Sequence, residues 1–297
     1  TLTPVLRWSY YNRKPTTDNN DKFGLASRSD SKVTPGITLT LSPSKQLSFY
    51  ASVQTGYRPP FLDELYTSIE YPEFGMYSVV LPNPDLKPEE SINVEIGVNG
   101  DYKSLFSDSD RFVFHANVFR DRVKNLINAG ATGDMDFTDD GDMILYYSID
   151  NVGKALKTGF EASADYYPGN ADFHLSYGYL HAEDKNTGEK IPGLTPMQAT
   201  LRAGYTYKPW NVNGWYRMRL FKGGKSNLET ARNSGEYKQL GGFATHTLGL
   251  TWKPQIKDWA DFTLTFSVDN ITNKKFRYLN GGYGVGRSYR AWLSATF

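Results

Sequence analysis

Apolar and polar residues alternate along most of the chain, in segments of about 8 to 12 positions that end at turn residues. A period of two is typical of a β-strand with one apolar face, because successive side chains point to opposite sides. In one such segment, Phe173, Leu175 and Tyr177 alternate with His174 and Ser176. The pattern predicts about twelve strands, near residues 2–12, 33–42, 46–56, 91–100, 111–122, 156–167, 171–181, 198–207, 211–221, 243–253, 261–269 and 287–297.

The connections between these predicted strands alternate in length. Short turns contain Pro43, Pro168 and Pro209, whereas long connections lie near 13–32, 57–90, 123–155, 182–197, 222–242 and 270–286. All the long connections therefore fall at one end of the predicted sheet. Outer-membrane β-barrels have short periplasmic turns and long extracellular loops. The pattern thus predicts an all-β fold, a transmembrane antiparallel β-barrel with the 57–90 loop outside the cell.

Composition favours this class and removes others. The 297 residues include 21 Tyr, 17 Phe and 6 Trp, and such aromatic residues form the interfacial girdles of membrane barrels. The absence of cysteine excludes disulfides, thiolate metal sites and cysteine nucleophiles. A formal net charge of +1 gives no indication of a nucleic-acid partner. No run of 18 apolar residues is present, so no transmembrane helix is predicted.

Two proline-containing boxes bound the predicted 57–90 connection, which has no clear amphipathic period and no histidine. The boxes consist of Tyr57, Arg58, Pro59 and Pro60 at one end, and of Asn83, Pro84, Asp85 and Leu86 at the other. Proline fixes φ and removes a backbone donor, so both boxes are expected to shape the margins of the loop. Long loops on a rigid scaffold commonly carry function, and we interpret residues 57–90 as a ligand-binding loop.

The two boxes, with Lys87, Pro88 and Glu89 after the second, resemble the FRAP and NPNL boxes of TonB-dependent haem receptors of Gram-negative bacteria. Residues 267–275 are similar to a stretch near the end of many TonB-dependent receptors, and Phe297 resembles the terminal signal of outer-membrane barrels. Such receptors hold a plug domain inside a barrel of about 22 strands. The resemblance implies that residues 1–297 are the C-terminal part of that barrel, about its last twelve strands, without the plug or the TonB-contacting segment.

In the common pattern of that family a histidine of this loop binds the haem iron. The corresponding position, about fourteen residues after the start of the first box, is Tyr71. A tyrosine phenolate is a known haem axial ligand. The resemblance thus implies Tyr71 as the ligand of ferric protoporphyrin, with Tyr77 and Tyr66 as alternatives, and both boxes as parts of the haem-binding loop. Arg58 and Lys225 are candidate partners of the haem propionates.

The function expected from this resemblance is TonB-dependent uptake of haem, taken free or from a haem-carrying protein, across the bacterial outer membrane. Expected partners are the plug domain, outer-membrane lipid and the TonB complex, contacted through the missing N-terminal part. No nucleic acid is expected among them. No bond of the cargo would be made or broken, so the chain is not interpreted as an enzyme.

Two alternatives stay open at this point. A TonB-dependent receptor for a ferric siderophore or another nutrient would share the barrel and the NPDL box without needing an axial tyrosine. The second is a free-standing barrel of about twelve strands that acts as an enzyme or translocator. The G-x-S-x-G motif of lipase-like enzymes does not occur in the sequence. In a chain with 21 tyrosines, a packing role for Tyr71 is a further alternative.

Overall fold

The computed structural model describes residues 1–14, 27–73, 76–151, 153–229, 236–254 and 260–296. Twelve strands form one sheet, the barrel sheet: β1 (Leu2–Arg13), β2 (Arg28–Leu41), β3 (Leu47–Arg58), β6 (Glu89–Lys103), β7 (Asp110–Lys124), β10 (Lys154–Pro168), β11 (Ala171–Asp184), β12 (Met197–Tyr207), β13 (Val212–Phe221), β16 (Phe243–Trp252), β17 (Asp261–Asp269) and β18 (Ser288–Thr296). The connections contain α1 (Leu62–Tyr66), β4 (Ile69–Glu73), β5 (Met76–Leu81), β8 (Ile127–Phe137), β9 (Met143–Asn151), β14 (Gly224–Glu229) and β15 (Tyr237–Leu240).

The barrel sheet confirms the twelve strands that alternation predicted, each within a few residues of its predicted bounds. Its strands pair antiparallel in the order in which they follow along the chain. Within the described residues β1 and β18 are the two edges of the sheet, so the chain forms part of a barrel wall. The terminal aromatic residue of the sequence pattern, Phe297, lies outside the described residues.

The two faces of the barrel sheet differ in polarity. One face, here called the outer face, carries exposed apolar side chains, such as Val33, Ile96 and Val118, the last of which is 52% exposed. The opposite, inner face carries hydrogen-bonded polar groups, for example the pair of Arg217 with Asp269 at 3.2 Å. Apolar residues outside and polar residues inside are the arrangement of a barrel wall in lipid. No helix among the described residues is long and apolar enough to cross a membrane.

The long connections contain regular structure that the sequence pattern did not predict. Strands β4, β5, β9 and β8 form a four-stranded sheet in that order, here called the loop sheet. Its central pair, β5 and β9, is parallel, with Met76 opposite Met143 and Leu81 opposite Ser148. The loop sheet therefore joins the connection after β3 to the connection after β7. Such pairing leaves little local signal, because the partners are far apart along the chain.

A small hydrophobic core lies beside the loop sheet. Leu65 of α1, Leu86 and Ile127 of β8 are almost completely buried against one another, and Tyr66 and Ile149 pack against them. These residues come from both connections. The core therefore holds the two connections together at the end of the barrel sheet where the long connections lie.

Candidate ligand-binding loops

Arg58, the last residue of β3, connects the first box to both sides of the 57–90 connection. Its Nη1 donates to both carboxylate oxygens of Glu64 in α1, at 2.9 and 2.8 Å. Its Nε and Nη2 donate to the two oxygens of Glu89, at 2.8 and 2.7 Å. Paired guanidinium–carboxylate hydrogen bonds are among the stronger and more directional ones in proteins. Arg58 therefore fixes α1 against the start of β6.

The two carboxylates that receive Arg58 also bind backbone N–H groups. Glu64 accepts from the Phe61 N–H at 2.7 Å, which satisfies a free donor at the start of α1. Glu89 accepts from the Ile127 N–H at 2.9 Å, at the start of β8. Glu89 is the first residue of β6, at the loop end of the strand, and lies three residues before Ile92, the first strongly exposed apolar residue of β6. Burial raises the pKa of Glu89, but the hydrogen bonds from Arg58 and from the Ile127 N–H outweigh burial, so this pKa lies below its ordinary value.

The two prolines of the first box and the leucine of the second box are buried, whereas Pro84 of the second box is exposed. Pro59 is buried, and Pro60 is exposed by less than 2%. Leu86, which ends the second box, is 1% exposed and contacts Leu65 of α1. The structure therefore links the first box to Glu89, three residues after the second box, and the second box to Leu65 of α1, which follows the first box.

The second box binds the connection after β7 through asparagine side chains. Asn83 Nδ2 donates to the Ile149 carbonyl at 2.9 Å and to Asp150 Oδ1 at 2.7 Å. Asn151 accepts from the Lys87 N–H at 2.7 Å and donates to the Lys87 carbonyl at 2.8 Å. An amide side chain that offers both a donor and an acceptor can pair with a backbone in this way. These bonds hold the end of β9 against the residues that follow β5.

The three candidate tyrosines take different places. Tyr71 lies in β4, where its backbone pairs with Ser78 of β5, and its side chain lies outside what the structure describes. Tyr77 is half-buried in β5, opposite Pro72 and Ile144. Tyr66 packs against the core of Leu65, Leu86 and Ile127. The described residues contain no group of three or more His, Asp and Glu side chains that could hold a metal ion.

An aromatic cluster lies at the same end of the barrel sheet. It contains Phe221 at the end of β13, Phe243 at the start of β16, and Phe276 and Tyr278 from the connection before β18. The rings of Phe243 and Phe276 stack with centroids 4.1 Å apart, and those of Phe221 and Phe243 with centroids 4.8 Å apart. Phe221 is an even number of residues from Arg217, so both occupy the inner face of β13. The cluster gives the inner face an apolar surface, in which the ring of Tyr278 stands nearly perpendicular to those of the three phenylalanines.

Sequence reasoning missed the contribution of the connection after β7. Asn151 and Ile127 hold the second box and the core, yet neither was a candidate. One signal was present: residues 143–149 form a run of mostly apolar, β-forming side chains between Asp142 and Asp150. A run of that length and composition, bounded by turn residues, is typical of a buried strand.

Comparison with known proteins identifies relatives over nearly the whole chain. The family model described as TonB dependent receptor-like, beta-barrel matches residues 1–271. The heme/hemopexin utilization protein C of Haemophilus influenzae strain 86-028NP is 24% identical over 292 residues, covering 93% of this chain and 38% of that protein. The hemin receptor of Yersinia enterocolitica is 26% identical over 269 residues, covering 86% of this chain and 37% of the receptor.

Solved structures agree on the fold. A mutant of the ferric enterobactin receptor of Pseudomonas aeruginosa superposes with a TM-score of 0.70 at 20% identity, covering 99% of this chain and 42% of that one. At this identity the likeness establishes the fold and not the cargo. The chain spans about two fifths of the length of the relatives that it matches.

Proposed function

The chain belongs to the TonB-dependent receptor family, in whose β-barrel domain it lies, and on that premise we propose that it forms the haem-capturing part of an outer-membrane haem receptor. It is an outer-membrane protein, as are the members of this family. The observation that carries the proposal is that Arg58 of the first box pairs with Glu89, just after the second box, and that Leu86 of the second box packs with Leu65 of α1, just after the first box; together these contacts form the base of the loop. The hairpin of β4 and β5, which contains Tyr71 and Tyr77, starts and ends at that base.

In this proposal the long connections face the outside of the cell and the short turns face the periplasm. Haem is the transported substrate. The phenolate of Tyr71 binds the ferric iron, which favours loss of the phenol proton on binding. Tyr77 is the first alternative, since it lies in the same hairpin, whereas Tyr66 is already packed in the core. The chain supplies capture and orientation, and no bond of the haem is made or broken.

The aromatic cluster and the basic side chains have separate roles in this proposal. The cluster of Phe221, Phe243, Phe276 and Tyr278 offers apolar ring surface to the porphyrin as it passes along the inner face. Arg58 is held by two carboxylates, which favours a structural role for it. Lys225 contacts only the exposed Glu189, at 3.6 Å, among the described ion pairs, so it is the better candidate for a haem propionate.

The transport step involves parts beyond this chain. Energy delivered through the TonB complex displaces the plug domain, and haem then passes along the inner face into the periplasm. Haem arrives free or on a carrier protein. These statements concern the whole receptor and are part of the proposal, since the chain corresponds to about two fifths of the relatives.

A growth experiment tests the choice of cargo. The intact receptor is expressed in an iron-starved Gram-negative strain that lacks its own haem and siderophore receptors, with either ferric haem or a ferric catecholate siderophore as the iron source. We expect growth with ferric haem and no growth with the ferric siderophore. Growth with haem is expected to stop when TonB is deleted. Growth on the siderophore without growth on haem would assign the chain to the siderophore alternative.

A further inference from the structure

The outer face carries a basic patch at its loop end, on β7 and β10. Side chains on β7 alternate strictly in exposure there: Arg120, Arg122 and Lys124 are exposed, whereas Asp121 and Val123 between them are half-buried or buried. The exposed set continues the row of Val118, which is 52% exposed on the apolar outer face. The three cations therefore lie on the lipid side of the wall, where the apolar band ends.

A fourth cation extends the patch to the neighbouring strand. Lys154 begins β10, is exposed, and lies directly opposite Lys124 in the register. Side chains directly opposite in an antiparallel pair have Cβ atoms about 4.5–5.5 Å apart, and like charges there destabilise the sheet. Successive outward positions along a strand are about 7 Å apart. An anion bound between these side chains would relieve that repulsion.

The carboxylates beside the patch are already occupied. Glu90 lies opposite Lys124 in the register but binds Lys32, at 2.6 Å. Glu183 lies opposite Leu156 and binds Lys185, at 2.5 Å, and His181, at 3.3 Å. Among the described ion pairs none includes a cation of the patch. The four cations of the patch thus exceed the neighbouring carboxylate Glu90, which Lys32 shares, and the patch keeps a net positive charge.

We propose that Arg120, Arg122, Lys124 and Lys154 bind the phosphate groups of a membrane glycolipid in the outer leaflet. The apolar residues below the patch, Val118 and Phe160, lie opposite each other in the register and would contact the acyl chains of the same molecule. Guanidinium groups match phosphate oxygens bidentately, and each basic residue near an anionic membrane surface contributes about 1 kcal/mol of binding. The assignment of the patch to the outer leaflet rests on the proposed function, in which the long connections face the outside of the cell. The patch itself does not depend on which cargo the receptor carries.

Lipid binding by the intact receptor tests this proposal. The receptor is purified in a non-ionic detergent, stripped of lipid and mixed with bisphosphorylated lipid A, and bound lipid is counted by native mass spectrometry. The test variant is Arg122→Gln with Lys124→Gln. The control variant is Lys45→Gln with Lys208→Gln, which removes the same charge from exposed residues at the opposite, short-turn end. We expect the test variant to bind lipid A about thirtyfold more weakly, from two lost contacts of about 1 kcal/mol each, and the control to bind like the unmodified receptor.

Two further arms identify the ligand. Dephosphorylated lipid A is expected to bind the unmodified receptor at least as weakly as bisphosphorylated lipid A binds the test variant, which keeps Arg120 and Lys154, and higher salt is expected to weaken only the phosphorylated lipid. Equal binding by the test and control variants overturns the proposal, as does undiminished binding of dephosphorylated lipid A. Displacement of the lipid by inorganic phosphate at equal concentration overturns it in favour of a free-phosphate site. Haem titration of the same test variant shows whether haem still binds. A failure of the lipid proposal can therefore be told apart from a failure of haem as the cargo.

Discussion

Arg58 binds two carboxylates with one guanidinium group, and each carboxylate also receives a backbone N–H. A single side chain thus links the end of β3, the start of α1, the start of β6 and the start of β8. The sequence identified Arg58 as part of a functional box but assigned it to the ligand. The alternative, a structural role at the base of the loop, is the one that its contacts favour.

Arg58→Gln is expected to loosen the base of the loop sheet. Glu89 would remain partly buried with its guanidinium partner removed, and the loss of a charged hydrogen-bond partner costs about 1–3 kcal/mol. We expect faster amide hydrogen exchange in β5 and β8 of the intact receptor, with no change in β16 to β18.

The matched control for this substitution is Arg111→Gln. Arg111 binds Asp101 in a pair that is about half exposed, at the short-turn end of the sheet, and solvent-exposed ion pairs contribute little to stability. Its exchange pattern in the loop sheet should equal that of the unmodified receptor. Equal exchange in the Arg58 variant and this control would refute the role given to Arg58.

Leu86→Ala is expected to open the core beside the loop sheet. Leu86 is 1% exposed, and truncating a buried leucine costs about 2–5 kcal/mol from lost burial and the cavity that remains. Limited proteolysis of the intact receptor should then cut residues 59–88 sooner. Leu105→Ala, in a turn where the leucine is 44% exposed, is the control and should leave the cleavage rate unchanged. A cleavage rate equal to that of the unmodified receptor would contradict this role of Leu86.

Among the elements, the barrel strands were predictable and the loop strands were not. Each barrel strand has one apolar and one polar face, as in Phe173 and Leu175 against His174 and Ser176, and this period can be read locally. The loop sheet depends on the parallel pairing of Val79 and Val80 with Tyr146 and Tyr147, which lie 67 residues away. A short strand whose partner is so distant has no local period that identifies the partner.

Val79→Pro tests whether the two connections form one unit. Val79 lies in β5, between β4 and β9 in the loop sheet, and proline there removes a ladder donor and blocks pairing. We expect β9 amides, on a different connection, to lose protection from hydrogen exchange together with those of β4. Lys238→Pro in β15, which belongs to a separate two-stranded sheet, is the control and should leave β9 protected. If the β9 amides of the Val79→Pro variant kept their protection from hydrogen exchange while those of β4 lost it, the two connections would not form one unit.

For the whole molecule, the barrel wall follows from the sequence, whereas the cargo rests on the loops. Apart from the basic patch on the outer face and the aromatic cluster on the inner face, the outer face is apolar and the inner face polar along the same strands, which explains why alternation and connection length were sufficient to predict the fold. The choice of iron ligand depends on one tyrosine in β4, and no periodic pattern distinguishes Tyr71 from the other tyrosines of the chain. That choice came from the position of the ligand histidine in the receptor family that the boxes resemble, and it stays a prediction.

Titration of the intact receptor with ferric haem, followed by absorption spectroscopy, tests haem capture through Tyr71 most directly. We predict saturable binding with a phenolate-to-iron charge-transfer band, which Tyr71→Ala removes and which Tyr77→Phe and Tyr66→Phe retain, because neither phenol binds the iron in this account. Absence of saturable binding to the unmodified receptor would contradict haem as the cargo. An unchanged spectrum in Tyr71→Ala would contradict Tyr71 as the ligand.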